Sequence, residues 1–378
     1  MAKYKLDDIA PIRQGAGPDE FPCWLLNLDM VESNTGRIIE YLYVQSDEIG
    51  ASTVAFDTRN VLYSKLRPYL NKVVLPDRPG FATSEMLPLM PDTTIITREY
   101  LTYFLRSPRF VGYINEKTSG AKMPRANTTD LKAAEIDCPT IERQKAIVGV
   151  FECLTRIFEL YQRQLRALDT LIKARFVEMF GDPVSNPKGW EKRKLSDLAD
   201  IRIGPFGSLL HKEDYVTGGH ALVNPSHIIN GKIAIDGELT VSDDKYAELS
   251  PYHLLIGDVV MGRRGEMGRC AVVGDSGLLC GTGSLLIRTN GELSADFIQK
   301  IISFPSFKRT IEDMAVGQTM PNLNVPIVSE FKIITPPKDV QDQYYAFVSQ
   351  VDKSKAVVQA ALDKAQLLFD SLMQQYFG

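Results

Sequence analysis

One segment of this chain occurs twice. Adding 197 to each residue number lays residues 108–181 on residues 305–378 without a gap, and 15 of the paired positions are identical, where composition alone gives about four or five. The identities include Pro108 with Pro305, Gly120 with Gly317, Met123-Pro124 with Met320-Pro321, Asn127 with Asn324, Gln144 with Gln341, and Phe180-Gly181 with Phe377-Gly378. A second match at an offset of 189 pairs Lys5, Leu6, Asp8, Ala10, Ile12, Arg13 and Gly15 with Lys194, Leu195, Asp197, Ala199, Ile201, Arg202 and Gly204. The chain is therefore one unit written twice, the second copy longer by eight residues, 197 minus 189.

Each copy closes on a helical pattern. From Ile147, apolar residues recur at alternating steps of four and three through Phe151, Leu154, Phe158, Tyr161, Leu165, Leu168, Ile172 and Met179, with Arg175 as the exception. The second copy repeats the seam at Tyr344, Val348, Val351, Val358, Leu362, Phe369, Leu372 and Tyr376, interrupted by Lys355. A 4-3 spacing puts one apolar stripe along a helix, so the two helices are expected to pair through Phe151, Leu154, Phe158, Leu165 and Leu168 on one and Val351, Val358, Leu362 and Phe369 on the other. Glu142 and Asp339 suit the positive N-terminal ends, and Gly181 followed by Pro183 supplies a stop. About forty residues at 1.5 Å each make a rod of roughly 60 Å. Two such rods running antiparallel would serve as a spacer with approximate two-fold symmetry.

At 378 residues the chain has room for two or three domains, each large enough for a real core. The expected divisions are a variable region at 1–139, a helix at 140–181, a second variable region at 182–336 and a helix at 337–378. Strand-like runs around 24–28, 38–44, 61–63 and 72–75 precede a helix at 98–104, and runs at 221–223, 232–235, 258–261, 269–273 and 284–287 precede a helix at 295–302. The fold class is α/β, a mixed α+β arrangement in each variable region. The motif opening each copy, Lys5-Leu6-Asp7-Asp8-Ile9-Ala10 in the first, reads as a helical turn leading into a strand.

A net charge of −4 disfavours a free-standing nucleic-acid binder, because phosphate binding needs local positive charge. The charge is uneven, however. Six basic residues between Arg98 and Arg125 face only Glu99 and Glu116, and Arg263, Arg264 and Arg269 cluster in the second copy. Five cysteines without a C-x-x-C pair point to unpaired thiols in a reducing, cytoplasmic setting. No apolar run is long enough to span a bilayer.

Catalytic motifs are hard to defend. Gly262, Gly265 and Gly268 match neither G-x-x-x-x-G-K-[ST] nor G-x-G-x-x-G, so tight turns are the better reading. Asn224-Pro225-Ser226-His227 lacks the second proline and the base-stacking aromatic of an amino-methyltransferase motif. Glu330-Phe331-Lys332 has the E-x-K form of a nuclease site but no upstream Pro-Asp pair. The four histidines, His211, His220, His227 and His253, have no metal-ligand spacing. A pair of tandem enzymes on a helical brace would repeat its polar machinery in both copies. Yet the shared polar residues are few: Asn127/Asn324, Gln144/Gln341, Arg13/Arg202 and Asp8/Asp197.

The run Pro139-Thr140-Ile141-Glu142-Arg143-Gln144-Lys145-Ala146-Ile147-Val148, its partner from Pro336-Pro337 to Gln341, the Met179-Phe180-Gly181-Asp182-Pro183 close and the Gly-to-Asn loop before each helix carry a resemblance. In the order variable region, helix, variable region, helix, the whole chain resembles the specificity subunit of Type I restriction-modification systems. That resemblance implies two target recognition domains, each reading half of a bipartite site in double-stranded DNA, on an antiparallel coiled coil that docks two methyltransferase subunits and, in the full complex, restriction subunits. It implies no catalysis by this chain. S-adenosylmethionine, ATP and magnesium would be held by the partners, with no cofactor or metal here. The candidate DNA-binding residues are Lys65, Arg67, Lys122 and Arg125 in the first copy and Arg263, Arg264, Gln318 and Asn322 in the second. A coiled-coil adaptor without DNA contact is the competing class beside the tandem enzyme.

Overall fold

A computed structural model describes residues 2–120, 122–315 and 322–378. The chain divides into two compact units, one of Met1–Leu165 with Ala356–Gly378, the other of Arg166–Lys355. Both are mixed α/β. These contact-defined divisions fall in the middle of the long helices, whereas the pattern of the sequence places divisions at the helix starts and ends.

In the first unit, strands Leu42–Val44, Cys23–Leu26, Gly80–Thr83 and Thr53–Phe56 form a four-stranded sheet in that order. Val73–Val74, Val61–Ser64 and Met86–Leu89 form a three-stranded sheet. The middle strand of the latter explains its unbroken apolar run. Val61 and Tyr63 face a core shared with helices Arg98–Arg106 and Pro108–Asn115, while Leu62 faces a second core with Trp24, Phe56 and Met86. Alternate side chains leave a strand on opposite faces, so a strand between two cores must be apolar throughout.

The second unit repeats this arrangement. Val259–Gly262 lies between Ser284–Thr289 and Cys270–Val272, with Ala199–Ile203 at the edge. Its Val259 and Met261 face the core of helix Ala295–Ile302, and Val260 faces the opposite one. A five-stranded sheet of short strands completes the unit.

The two sequence offsets meet in one ladder. Strand Ala2–Lys5 pairs antiparallel with Glu135–Cys138, putting Lys5 opposite Glu135. Lys192–Lys194 pairs with Lys332–Ile334, putting Lys194 opposite Lys332. Adding 189 to one side and 197 to the other converts the first register into the second. The opening motif is thus a strand followed by a short helix, Leu6–Ile9 in the first copy, and in the second copy the helical turn Leu195–Asp197 leads into strand Ala199–Ile203 as expected, with one strand before it that was not. Its strand begins before the motif's apolar residues, at positions too polar to announce it.

The long helices run Ile141–Phe180 and Lys338–Phe377. Gly181 ends the first with φ +75° and donates its N–H to the Val177 carbonyl at 2.9 Å, a left-handed stop. Every expected seam residue is buried or half-buried, while Leu160, Val357 and Leu367, off the seam, are exposed. Within the first unit Phe369 packs on Phe151 at 5.1 Å and on Phe158 at 5.7 Å between ring centroids. Leu154 and Val358 are buried, and Leu165 and Leu362 half-buried. Within the second, Leu168 packs against a cluster containing Val351. Both interruptions of the stripe have a neighbour there, although Arg175 Nε is buried with no hydrogen-bond partner among the described residues. Lys355 forms an ion pair with Asp169 at 2.6 Å, and Arg175 lies over the Phe347 ring at 5.6 Å.

At the C-terminal end of each helix two residues lie outside the seam and are nonetheless buried, Phe176 and Phe180 in the first, Met373 and Phe377 in the second. There the helix has a different neighbour. Phe180 meets Phe297 of helix Ala295–Ile302 at 4.9 Å, and Phe377 meets Tyr100 of helix Arg98–Arg106 at 5.0 Å. The stripe therefore turns at the helix end from a long helix toward a domain core.

Among the described residues no helix is long and apolar enough to cross a membrane, and no group of three His, Cys, Asp or Glu converges to hold a metal. All five cysteines are free.

Candidate nucleic-acid interface

Two of the four polar pairs common to both copies have structural employment. Gln144 accepts from the Thr97 N–H at 2.8 Å and donates to the carbonyls of Ile95 at 2.8 Å and Pro139 at 2.9 Å. Gln341 makes the same three bonds to Ser294, Glu292 and Pro336. Asn127 and Asn324 cap short helices, accepting from the N–H groups of Thr129 and Ile327. Neither pair is free for chemistry.

The other motifs resolve the same way. Glu330 pairs with Lys194 at 2.7 Å, Pro225–His227 is a one-turn helix, and Gly265 and Gly268 occupy turns with φ +78° and +73°. His220 and His253 sandwich the Tyr246 ring at 3.7 Å on each face. Much of the basic run in the first copy is also structural. Arg98 donates to the carbonyls of Asn60 and Pro76, Arg106 to Val73, and Lys117 pairs with Asp130. Burial pulls the Arg106 guanidinium down to about 10.

Several of the candidate basic residues lie at one place in each unit, where the central strand runs out against the loop leading to that copy's long helix. In the first unit, Lys65 follows strand Val61–Ser64. Its N–H donates to Glu85 at 2.9 Å and its carbonyl accepts from Ala126 at 2.8 Å. Leu66 bridges Arg125, and the Arg67 N–H donates to Pro124 at 2.7 Å. Lys65 is half-buried, while Arg67, Lys122 and Arg125 are exposed beside exposed Tyr69 and Met123. Glu85 receives the Arg125 guanidinium at 3.0 Å and lies 4.0 Å from the Lys65 ammonium. Its carboxylate raises the Arg125 pKa. Arg67 and Lys122 make no ion pair among the described residues.

The second unit builds the same corner. The Arg263 N–H donates to Gly283 at 3.0 Å, its carbonyl accepts from Leu323 at 2.9 Å, and Arg264 bridges Asn322. Arg263 is half-buried, with its Nε donating to the Leu323 carbonyl at 3.2 Å. Burial first, and then the charge of Arg264, lower its pKa. Arg264 is exposed, and Asn322 is half-buried with Oδ1 lacking a partner among the described residues. Gln318 lies outside the described residues.

Backbone pairing makes the correspondence explicit. Ser64 opposite Met86 matches Gly262 opposite Ser284, an offset of 198 on both strands. Lys65 thus corresponds to Arg263, Leu66 to Arg264, Arg67 to Gly265 and Glu85 to Gly283, while Arg125 corresponds to Asn322 at 197. The frame repeats and the side chains it displays do not. Arg67 holds φ +48°, the left-handed region its glycine counterpart adopts freely. Such a conformation costs an L-residue about 1–2 kcal/mol. Glu85 was not among the sequence candidates, because it sits in a turn between strands where no periodicity singles it out.

Known proteins resemble this chain in sequence family and in fold. Residues 187–365 match the family model described as the Type I restriction modification DNA specificity domain. The MjaIX specificity subunit of Methanocaldococcus jannaschii is 21% identical over 380 residues, covering 91% of this chain and 85% of that one. The EcoDI specificity subunit of Escherichia coli is 26% identical over 135 residues, a match spanning 36% of this chain and only 30% of that subunit. Among solved structures, a chain described under complex assembly and conformational transition of the type I R-M system superposes with a TM-score of 0.69 at 15% identity, covering 100% of this chain and 97% of the other. The system S subunit from M. genitalium gives 0.55 at 15% identity, covering 100% and 96%. At these identities the structures speak for the fold.

Proposed function

We propose that this chain, similar to the specificity subunits of Type I restriction-modification systems, reads a bipartite DNA sequence as the non-catalytic subunit of such a complex. The observation that carries this reading is the repeated corner at the end of the central strand, identical in backbone and divergent in displayed side chains. Two reading heads need a common frame and different words. Arginine, lysine and asparagine are suited to the base edges of the major groove and to phosphates, the first giving sequence, the second register. On this reading methyltransferase and restriction subunits dock on this chain and hold S-adenosylmethionine, ATP and magnesium. Five free thiols fit work in a reducing cytoplasm.

The test is selection from a randomised duplex pool by the chain co-expressed with its methyltransferase subunit. Two short fixed clusters separated by an unspecified spacer are expected, with affinity falling steeply as salt rises. A pool that yields no enriched bipartite sequence would favour an adaptor.

Arg67 offers a sharper check. Arg67→Gly removes the backbone cost of the left-handed conformation, partly offset by glycine's greater freedom in the unfolded chain. Thermal stability should hold or rise slightly while binding of the selected duplex weakens by about 1–3 kcal/mol. A loss of stability equal to the loss of binding would mean that Arg67 serves the fold.

A further inference from the structure

The two corners differ most at one position. In the first unit a carboxylate, Glu85, sits among the residues assigned to DNA, whereas the second has Gly283 there, and among the described residues no acidic side chain pairs with Arg263 or Arg264. A carboxylate facing a polyanion lowers affinity through charge repulsion, so its presence calls for a compensating role.

The geometry supplies one. Glu85 Oε1 accepts from Arg125 Nε at 3.1 Å and from Nη2 at 3.0 Å, and Oε2 lies 3.3 Å from Nε. This is the side edge of the guanidinium. Of its five N–H donors, the pairing leaves both on Nη1 and one on Nη2, and one N–H of each Nη forms the end edge. An end edge with two parallel donors is what guanine O6 and N7 accept. Glu85 is itself placed firmly. Its carbonyl accepts the Lys65 N–H at 2.9 Å, its N–H lies 3.5 Å from Thr83 Oγ1, and its side chain is only 22% exposed. Arg125 is 46% exposed and has no other ion-pair partner among the described residues. A long side chain with that freedom reads poorly unless something fixes it, because its rotamer entropy must be given up on binding.

We propose that Glu85 is a positioning residue for base readout, holding Arg125 so that it selects guanine at one position of the half-site read by the first unit, at the expense of sequence-independent affinity. The inference rests on the DNA-reading function proposed above. It assigns the two units different strategies. The first spends a negative charge on orienting an arginine, and the second, with Gly283 and Asn322 at the matching places, displays Arg264 without a buttress.

The experiment uses the full chain with its methyltransferase subunit and the same randomised duplex pool, comparing wild type with Glu85→Ala, Glu85→Asp and Arg125→Lys. Glu85→Ala should lower the guanine preference at one position about tenfold, leave the other half-site unchanged, and keep or raise binding to a random duplex. Arg125→Lys, which retains charge but loses the two-donor edge, should relax the same position. The double variant should relax it no further, since both changes break one arrangement. Glu85→Asp should recover part of the preference. A structural role alone would lower binding to every sequence together. The proposal is overturned if Glu85→Ala keeps the wild-type preference at every position, or if random-duplex binding falls with specific binding. Should wild type itself enrich no sequence, the DNA-reading function fails too, which separates the two failures.

Discussion

Phe377→Ala should unfold the N-terminal half of this protein, although residue 377 lies at the opposite end of the sequence. Phe377 is 4% exposed, packed between Tyr100 at 5.0 Å and Phe151 at 6.1 Å. It belongs to the same apolar cluster as Leu6, Val61, Leu101 and Ile136. Replacing a buried phenylalanine by alanine costs about 3–5 kcal/mol through lost burial and the cavity left behind. In a unit of this size that is roughly 10 °C in thermal midpoint. Proteolysis read by mass spectrometry should find new cuts within residues 2–115 and not within 192–334. Phe180→Ala should do the reverse, because Phe180 packs on Phe297 and Tyr344 in the other unit. If Phe377→Ala instead loosened the second unit, or neither, the compact unit of Met1–Leu165 with Ala356–Gly378 would be misdrawn.

This pair also shows what the sequence could and could not express. The repeat at 197 identified Phe180 and Phe377 as the same residue, and the 4-3 spacing located both long helices to within a few positions. The spacing nevertheless led through Met179 and Tyr376 at the helix ends, one position short of the buried phenylalanines. A heptad rule describes a helix with one neighbour throughout. Here the neighbour changes from a long helix to a domain, and the buried face rotates with it. Pro108 and Pro305 were legible as ends of the preceding helices. Each is equally the first residue of a new one, Pro108–Asn115 and Pro305–Met314, because proline's missing N–H costs nothing at that position.

The candidate interface was legible to a similar degree. Lys65, Arg125, Arg263 and Asn322 do come together in matching corners, yet Lys65 and Arg263 correspond at an offset of 198, one beyond the 197 that is visible as identities. No identity marks it, since Lys65 and Arg263 share only charge. Strands Thr53–Phe56 and Gly80–Thr83 escaped notice because they are four residues long and end in glycine or threonine turns. Arg98 and Arg106 looked like part of a basic surface and are instead tied to backbone carbonyls. Charge in a sequence says nothing of which direction a side chain leaves its helix.

The shared glutamines decide between a duplicated scaffold and a duplicated active site, and they predict a pH dependence of definite sign. Gln144 is fully buried, with all three bonds made to backbone groups at 2.8 to 2.9 Å. Gln144→Leu would leave the Thr97 N–H and two carbonyls unpaired in the interior, at about 1–3 kcal/mol for each group that water cannot reach. Gln341→Leu should cost less, because two of its three bonds are longer, at 3.4 Å. Gln144→Glu keeps the shape and exchanges two donors for a carboxyl. Ionised, that carboxylate faces the carbonyls of Ile95 and Pro139 and is repelled; protonated, its O–H can donate to one of them. Its folded pKa is therefore raised above the ordinary glutamate value of about 4.3. A raised acid favours the folded state below its unfolded pKa and loses that stability as pH climbs through the folded one. The variant should thus come closest to wild type near pH 4 and fall away toward pH 8, measured by denaturant midpoints at each pH. A glutamine serving chemistry would give the opposite result, lost activity with a stability profile parallel to wild type at every pH.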